Sequence, residues 1–225
     1  MEAVRQRTLY VGSGSPYAWR VWLALEHKRL PYELRVMSFS AGDLRTPAFA
    51  ALNPRCLVPA LDDGGFVMYE SAAIVDYIGD AYRDVGAPLF PGDTKARALA
   101  RRKIREADEY VARSMERLVD HVLFTKPDQW DAAKIAKDRE RFLAELGFFE
   151  RELSGDFLVG ELGAADFTLY PLLALPLRME ARTKPDLAIP AAIGPRLTAW
   201  MRRIEALPYF MATYPPHWKA TTQGT

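Results

Sequence analysis

At 225 residues the chain has room for one large domain or two small ones, at roughly 150 residues per domain, and can bury a core without staples. It is 49% hydrophobic and 26% charged; 30 Lys and Arg against 29 Asp and Glu leave a net charge of +1, no field to gather nucleic acid or an anionic membrane. The single Cys56 excludes an internal disulfide framework and a cysteine-rich zinc site, and His27, His121 and His217 show no metal spacing. The opening run MEAVRQRTLYVG has no apolar core or small-residue cleavage site. The apolar stretch Phe167–Leu177 is shorter than the ~20 residues that cross a bilayer and is broken by two prolines. The expectation is a cytoplasmic enzyme or binding protein.

Thr8–Gly12 reads as a strand stopping at Gly-Ser-Gly-Ser-Pro. Tyr17 to Lys28 has helical spacing and ends before Leu30-Pro31; Tyr32–Met37 reads as a second strand. One helix between two strands makes a parallel βαβ unit. Asp43 to Leu52 predicts a short helix stopped by Asn53-Pro54. Val58–Leu61 and Phe66–Tyr69 flank Asp62-Asp63-Gly64-Gly65 as a hairpin, and Glu70-Ser71 opens a helix through Ile74, Val75 and Ile78. The order is βαβαββα. Residues 83–93, with two Gly and two Pro and no period, read as a linker.

Beyond it every pattern is helical: Ile104, Ala107, Val111, Met115, Leu118 and Val122; Phe142, Leu146, Phe149 and Leu153; Ile193, Leu197, Trp200, Ile204 and Leu207. The fold class is therefore a small α/β domain over 1–82, a linker over 83–93 and an all-helical domain over 94–225.

Three features can carry chemistry. Gly12 to Pro16 is either a plain turn or a set of hydroxyls and N–H groups at a helix N-terminus, suited to an anion but lacking phosphate-loop spacing. Val58-Pro59 is either a strand-initiating proline or a cis bond that turns the Val58 backbone outward toward a peptide-like ligand. Glu70-Ser71 is either a simple cap or a pair that holds an amino acid's ammonium and carboxylate.

Taken together, LYVGSGSPYAWRVWLALEHKRLPYEL and TPAFAALNPRCLVPALDDGGFVMYESAAIVDYI resemble the thioredoxin-like N-terminal domain of the cytosolic glutathione transferases. The likeness continues through the linker and helical domain to Gly160–Asp166, which resembles that family's buried capping motif. It implies a transferase that adds glutathione, its co-substrate, to a small hydrophobic electrophile. It also implies a homodimer, with no metal, nucleic acid or membrane involved.

By resemblance Ser15 supplies the thiol-activating hydroxyl, with Ser13 as second choice. Val58 and the cis-proline Pro59 pair with the cysteinyl part, and Glu70 and Ser71 recognise the γ-glutamyl end. An ordinary thiol has a pKa of about 8.5, and lowering it by two units takes roughly 2.7 kcal/mol. A hydrogen bond to a charge supplies roughly 1.5–3 kcal/mol and a helix N-terminus about 0.3–2, so one hydroxyl suffices without a protein base.

Some positions depart from the family's pattern. Cys56-Leu57 stands where many relatives have Gly-Lys, Gly-Gln or Lys-Gln. Arg45 is a candidate for the glycyl carboxylate but equally a solvated arginine. Gly163 replaces Ser or Thr in the capping motif. Tyr17, Tyr110 and Met115 are candidates for the electrophile pocket, although helical aromatics also serve as core. Two alternatives stay open: a glutathione-dependent isomerase of zeta type, since Ser15–Val21 is similar to that class's Ser-Ser-Cys-Ser-Trp-Arg-Val element, and a non-catalytic binding protein that keeps the fold.

Overall fold

The computed structural model describes residues 6–183 and 187–219; residues 1–5, part of the run read above for a leader, lie outside them. Strands β1 (Arg7–Gly12), β2 (Glu33–Met37), β3 (Ala60–Asp63) and β4 (Phe66–Tyr69) form one sheet in the order β2-β1-β3-β4. β1 is parallel to β2 and antiparallel to β3, and β3 is antiparallel to β4. Helices α1 (Pro16–His27), α2 (Pro47–Leu52) and α3 (Ser71–Ala81) complete the expected βαβαββα order. α1 is buried nearly all round from Ala18 to Leu25, and Pro16 at its first position costs no hydrogen bond.

Two local differences have plain causes. The span read as one helix from Asp43 is split into a 3-10 turn, Asp43–Arg45, and α2. Pro47 cannot continue the first piece, and the Thr46 side chain accepts from the Phe49 N–H at 3.3 Å to start the second. The hairpin turn is Gly64-Gly65 alone, with φ of 63° and 93°, so Asp62 and Asp63 belong to β3. Asp63 is then buried, paired with Arg7 at 3.1 Å and accepting from the hydroxyls of Tyr77 and Tyr82.

The helical part contains α4 (Thr94–Glu106), α5 (Ala112–Leu123), α6 (Ala132–Glu152), α7 (Ala164–Thr183), α8 (Ile189–Ala192) and α9 (Pro195–Glu205). A π-helical turn, Ala107–Val111, joins α4 to α5, and the apolar stripe from Ile104 to Val122 stays buried through it. Asp166, only 1% exposed, organises the start of α7. Its carboxylate accepts from the N–H groups of Leu158 (2.9 Å) and Gly163 (3.0 Å) and from the Trp200 indole (2.7 Å). Burial pushes its pKa up to about 6, against the pull of those donors.

The chain divides into two compact units, and the division differs from 1–82 and 94–225. One unit is Pro91–Leu207; the other joins the described residues up to Phe90 with those from Pro208 onward. The last helical turns, α10 (Phe210–Thr213) and α11 (Pro216–Lys219), therefore belong with the sheet, because Phe210, Tyr214 and Trp218 all pack on the Trp19 ring of α1 within 6 Å. The segment read as a linker is partly packed too: Leu89 is buried, and Gly86 (φ 63°) lies so close to the Lys28 backbone that any Cβ would collide with it.

Asp166→Ala strands two buried donors, the Gly163 N–H and the Trp200 indole, and the half-buried Leu158 N–H, at roughly 1–3 kcal/mol each, so a loss of about 3 kcal/mol in stability is expected from urea unfolding. A loss under about 1 kcal/mol would show that the carboxylate does not organise this helix start.

Candidate functional site

Sheet register decides what meets. Tyr10 of β1 pairs with Ala60 of β3, Ala60 pairs with Tyr69 of β4, and Gly12 pairs with Met37 of β2. The loop after Gly12, the Val58-Pro59 step before Ala60, the Glu70-Ser71 step after Tyr69 and the connection after Met37 thus share one end of the sheet. Ser13, Ser15, Val58, Pro59, Glu70 and Ser71, scattered over almost sixty positions, come together there.

Ser15 is the N-cap of α1: its hydroxyl oxygen accepts from the Ala18 N–H at 3.3 Å. That bond uses a lone pair and leaves the hydroxyl's own hydrogen to donate. Ser13 is differently engaged. Its Oγ lies 2.5 Å from Nδ1 of His217 and 3.4 Å from the His217 main-chain nitrogen, which donates to it. Between them Gly14 has φ 85°, and a Cβ there would sit 2.8 Å from the His217 ring. The loop needs glycine for both reasons.

Val58-Pro59 is a cis bond. Val58 lies just outside the ladder, which begins at Ala60, and takes part in none of its pairs. The turn leading to it is built by buried Asn53, whose side-chain amide donates to the Leu57 carbonyl (2.7 Å) and whose Oδ1 accepts from the Arg55 N–H (3.0 Å). The sequence shows Asn53-Pro54 only as a helix stop. Cys56 has φ 55°, a conformation that glycine adopts more easily, and Leu57 projects outward at 60% exposure.

Glu70 also has a positive φ, 68°, and makes no side-chain cap at the start of α3, so the first N–H groups of that helix are left to another acceptor. Ser71 is buried; exposed Glu70 stands 3.6 Å from Arg55, a partner that sequence reading passed over. Arg45 is exposed and lines a cavity of about 430 Å³ with Phe39, Ser40, Leu44 and Cys56.

Of the pocket candidates, Tyr17 is half-buried on α1 with the Arg20 guanidinium 5.3 Å from its ring centre, and Tyr110 is 59% exposed in the π-helical turn. Met115 is 1% exposed in the helical core, which makes it packing rather than the wall of an opening. Among the described residues no cluster of His, Cys, Asp or Glu is placed to hold a metal ion, and no helix is long and apolar enough to cross a membrane.

Two family profiles match the chain: the glutathione S-transferase N-terminal domain over residues 14–81 and the glutathione S-transferase C-terminal domain over residues 112–208. The chain belongs to the glutathione S-transferase family. It is 27% identical to glutathione S-transferase A of Pleuronectes platessa over 98% of this chain and 96% of that protein. To glutathione S-transferase 3 of Zea mays it is 30% identical over 88% and 89%. The crystal structure of a glutathione S-transferase from the Antarctic clam Laternula elliptica superposes with a TM-score of 0.80 at 31% identity, covering 95% of this chain and 94% of that one. Nothing in these matches singles out a zeta-like class.

The segment holding His217 is fastened at its other end as well. Trp19 Nε1 donates to Thr213 Oγ1 at 3.0 Å, and His27 Nδ1 lies 2.7 Å from the Tyr209 hydroxyl. Burial, ahead of the opposing contact with the Pro88 backbone, lowers the His27 pKa from 6.5 to about 4. The unfolded chain therefore binds a proton between these values when the folded one does not. Stability is full above pH 6.5 and falls as the pH drops toward 4, by about 3 kcal/mol in all. Unfolding free energies across that window should show the slope in the natural protein and a flatter profile in His27→Gln.

Proposed function

We propose that this glutathione transferase activates its co-substrate through Ser15 and adds the thiolate to a small hydrophobic electrophile. The observation that carries the reading is the contrast between the two hydroxyls. Ser15 accepts from the α1 backbone and keeps its hydrogen to give, at the N-terminus of a 12-residue helix, whereas Ser13 is occupied by His217. A sulfur beside Ser15 would receive a hydrogen bond and the favourable end of the helix dipole together.

The rest of the tripeptide fits the same end of the sheet. Val58, unpaired in the ladder, offers its backbone to the cysteinyl unit as an added strand would. Glu70 supplies a countercharge for the γ-glutamyl ammonium. The uncapped start of α3, with Ser71, receives the α-carboxylate. Arg45, which lines that cavity, is a cation available to the glycyl carboxylate. No protein base is required by this arithmetic, and no metal enters it. Tyr17 and Tyr110 remain the candidates toward the electrophile; the homodimer and the cytoplasmic setting belong to the same proposal, on family resemblance.

Ser15→Ala should lower kcat/KM for conjugation about 10–100-fold, the loss of one charge-assisted hydrogen bond, and reduce the thiolate ultraviolet absorbance of bound glutathione. Ser13→Ala should cost less. A Ser15→Ala protein that conjugates at the wild-type rate would overturn the assignment.

A further inference from the structure

Ser13 and His217 are 204 positions apart, yet the histidine meets the serine twice, through its ring and through its main chain. The main-chain N–H takes one lone pair of Ser13 Oγ, and with the neutral imidazole in its Nε2–H tautomer the hydroxyl's hydrogen points at Nδ1. The contact is held from outside the pair. Trp218 packs edge-on against Trp19 at 5.5 Å, Thr213 accepts from the Trp19 indole, and a cavity lined by Ser13, Ser15, Trp19, Thr213 and Pro215 measures about 10 Å³. His217 itself remains exposed, open to exchange protons with solvent.

We propose that His217 takes up the proton that glutathione's thiol gives up, acting through Ser13. The inference rests on the thiolate reading above and names where the proton goes. The S–H bond breaks and its electron pair stays on sulfur. Ser13 accepts that proton and passes its own to His217 Nδ1, leaving an imidazolium. Nδ1–H then donates to Ser13 Oγ, and the hydroxyl's hydrogen turns toward the sulfur. The thiolate thus gains a second hydroxyl donor beside Ser15 and a cation behind it. Once the thioether has formed and the negative charge is gone, the proton returns to solvent. His217 is a positioning residue in this scheme, since it reaches sulfur only through Ser13.

The Gly12–Ser15 loop carries no charge. α1 contributes Tyr17 and Arg20, which face each other, and at its far end Glu26 and His27. The segment's own titratable groups are Tyr209, Tyr214 and Lys219, and the Lys219 ammonium donates to the Met211 carbonyl at 2.8 Å.

Calorimetry of reduced glutathione binding to the full chain at pH 7.5, in two buffers of different ionisation enthalpy, counts the protons released. The natural protein should release fewer than half as many per bound glutathione as His217→Gln, while both show thiolate absorbance. Ser13→Ala should release as many as His217→Gln. Equal release by the natural protein and His217→Gln, with thiolate present in both, would overturn the proposal and leave the Ser15 reading standing. Absence of any thiolate signal in the natural protein would sink both. Ring NMR of His217 in the unmutated protein provides a readout independent of folding. It should shift to the imidazolium form with reduced glutathione and stay neutral with S-methylglutathione; a ring that stays neutral with both refutes the transfer.

Discussion

One rung of the sheet governs this molecule. With Tyr10, Ala60 and Tyr69 side by side, the end of β1, the start of β3 and the end of β4 must fall together. A slip of one residue in either pairing would turn Leu9, Val11 and Leu61, all buried, toward the opposite face, so the hydrophobic pattern fixes the register and the register fixes the site. The groups assigned to glutathione sit in loops or at helix ends, and their positions are set by strands that carry no functional side chain.

Around that rung the backbone is held in unusual conformations. Cys56 and Glu70 both have positive φ without being glycine, and they flank the Val58-Pro59 step and the start of α3. Such conformations persist only where neighbours over-determine them. Here the neighbours are identifiable: Asn53 ties down the turn that contains Cys56, and Arg55 stands against Glu70. The strain lies where ligand backbone would have to approach.

What the sequence made legible was local. Gly-Ser-Gly-Ser-Pro, Val-Pro and Glu-Ser each announce a strand end or a helix start within a few residues, and alternation and helical spacing gave the βαβαββα order. Gly64-Gly65 could not be separated from the two aspartates before it, since only the pairing of Asp63 with Arg7 and Phe66 shows that the strand runs on. The periodic stripe through Met115 reads equally well as core or as pocket wall, and burial decides for core. Least legible was the return of Phe210, Tyr214, His217 and Trp218 to α1. No short-range pattern announces a contact across two hundred positions; an aromatic every four residues close to the C-terminus was the available sign, and it is equally the mark of an ordinary helix face.

That return has a consequence for biosynthesis. The sheet is translated first, but Trp19 and the loop that carries Ser13 lack their covering residues until the whole helical unit has left the ribosome. The nascent sheet must therefore wait with an uncovered indole, and a messenger truncated just past Leu207 would encode the helical unit whole yet leave the earlier one unfinished.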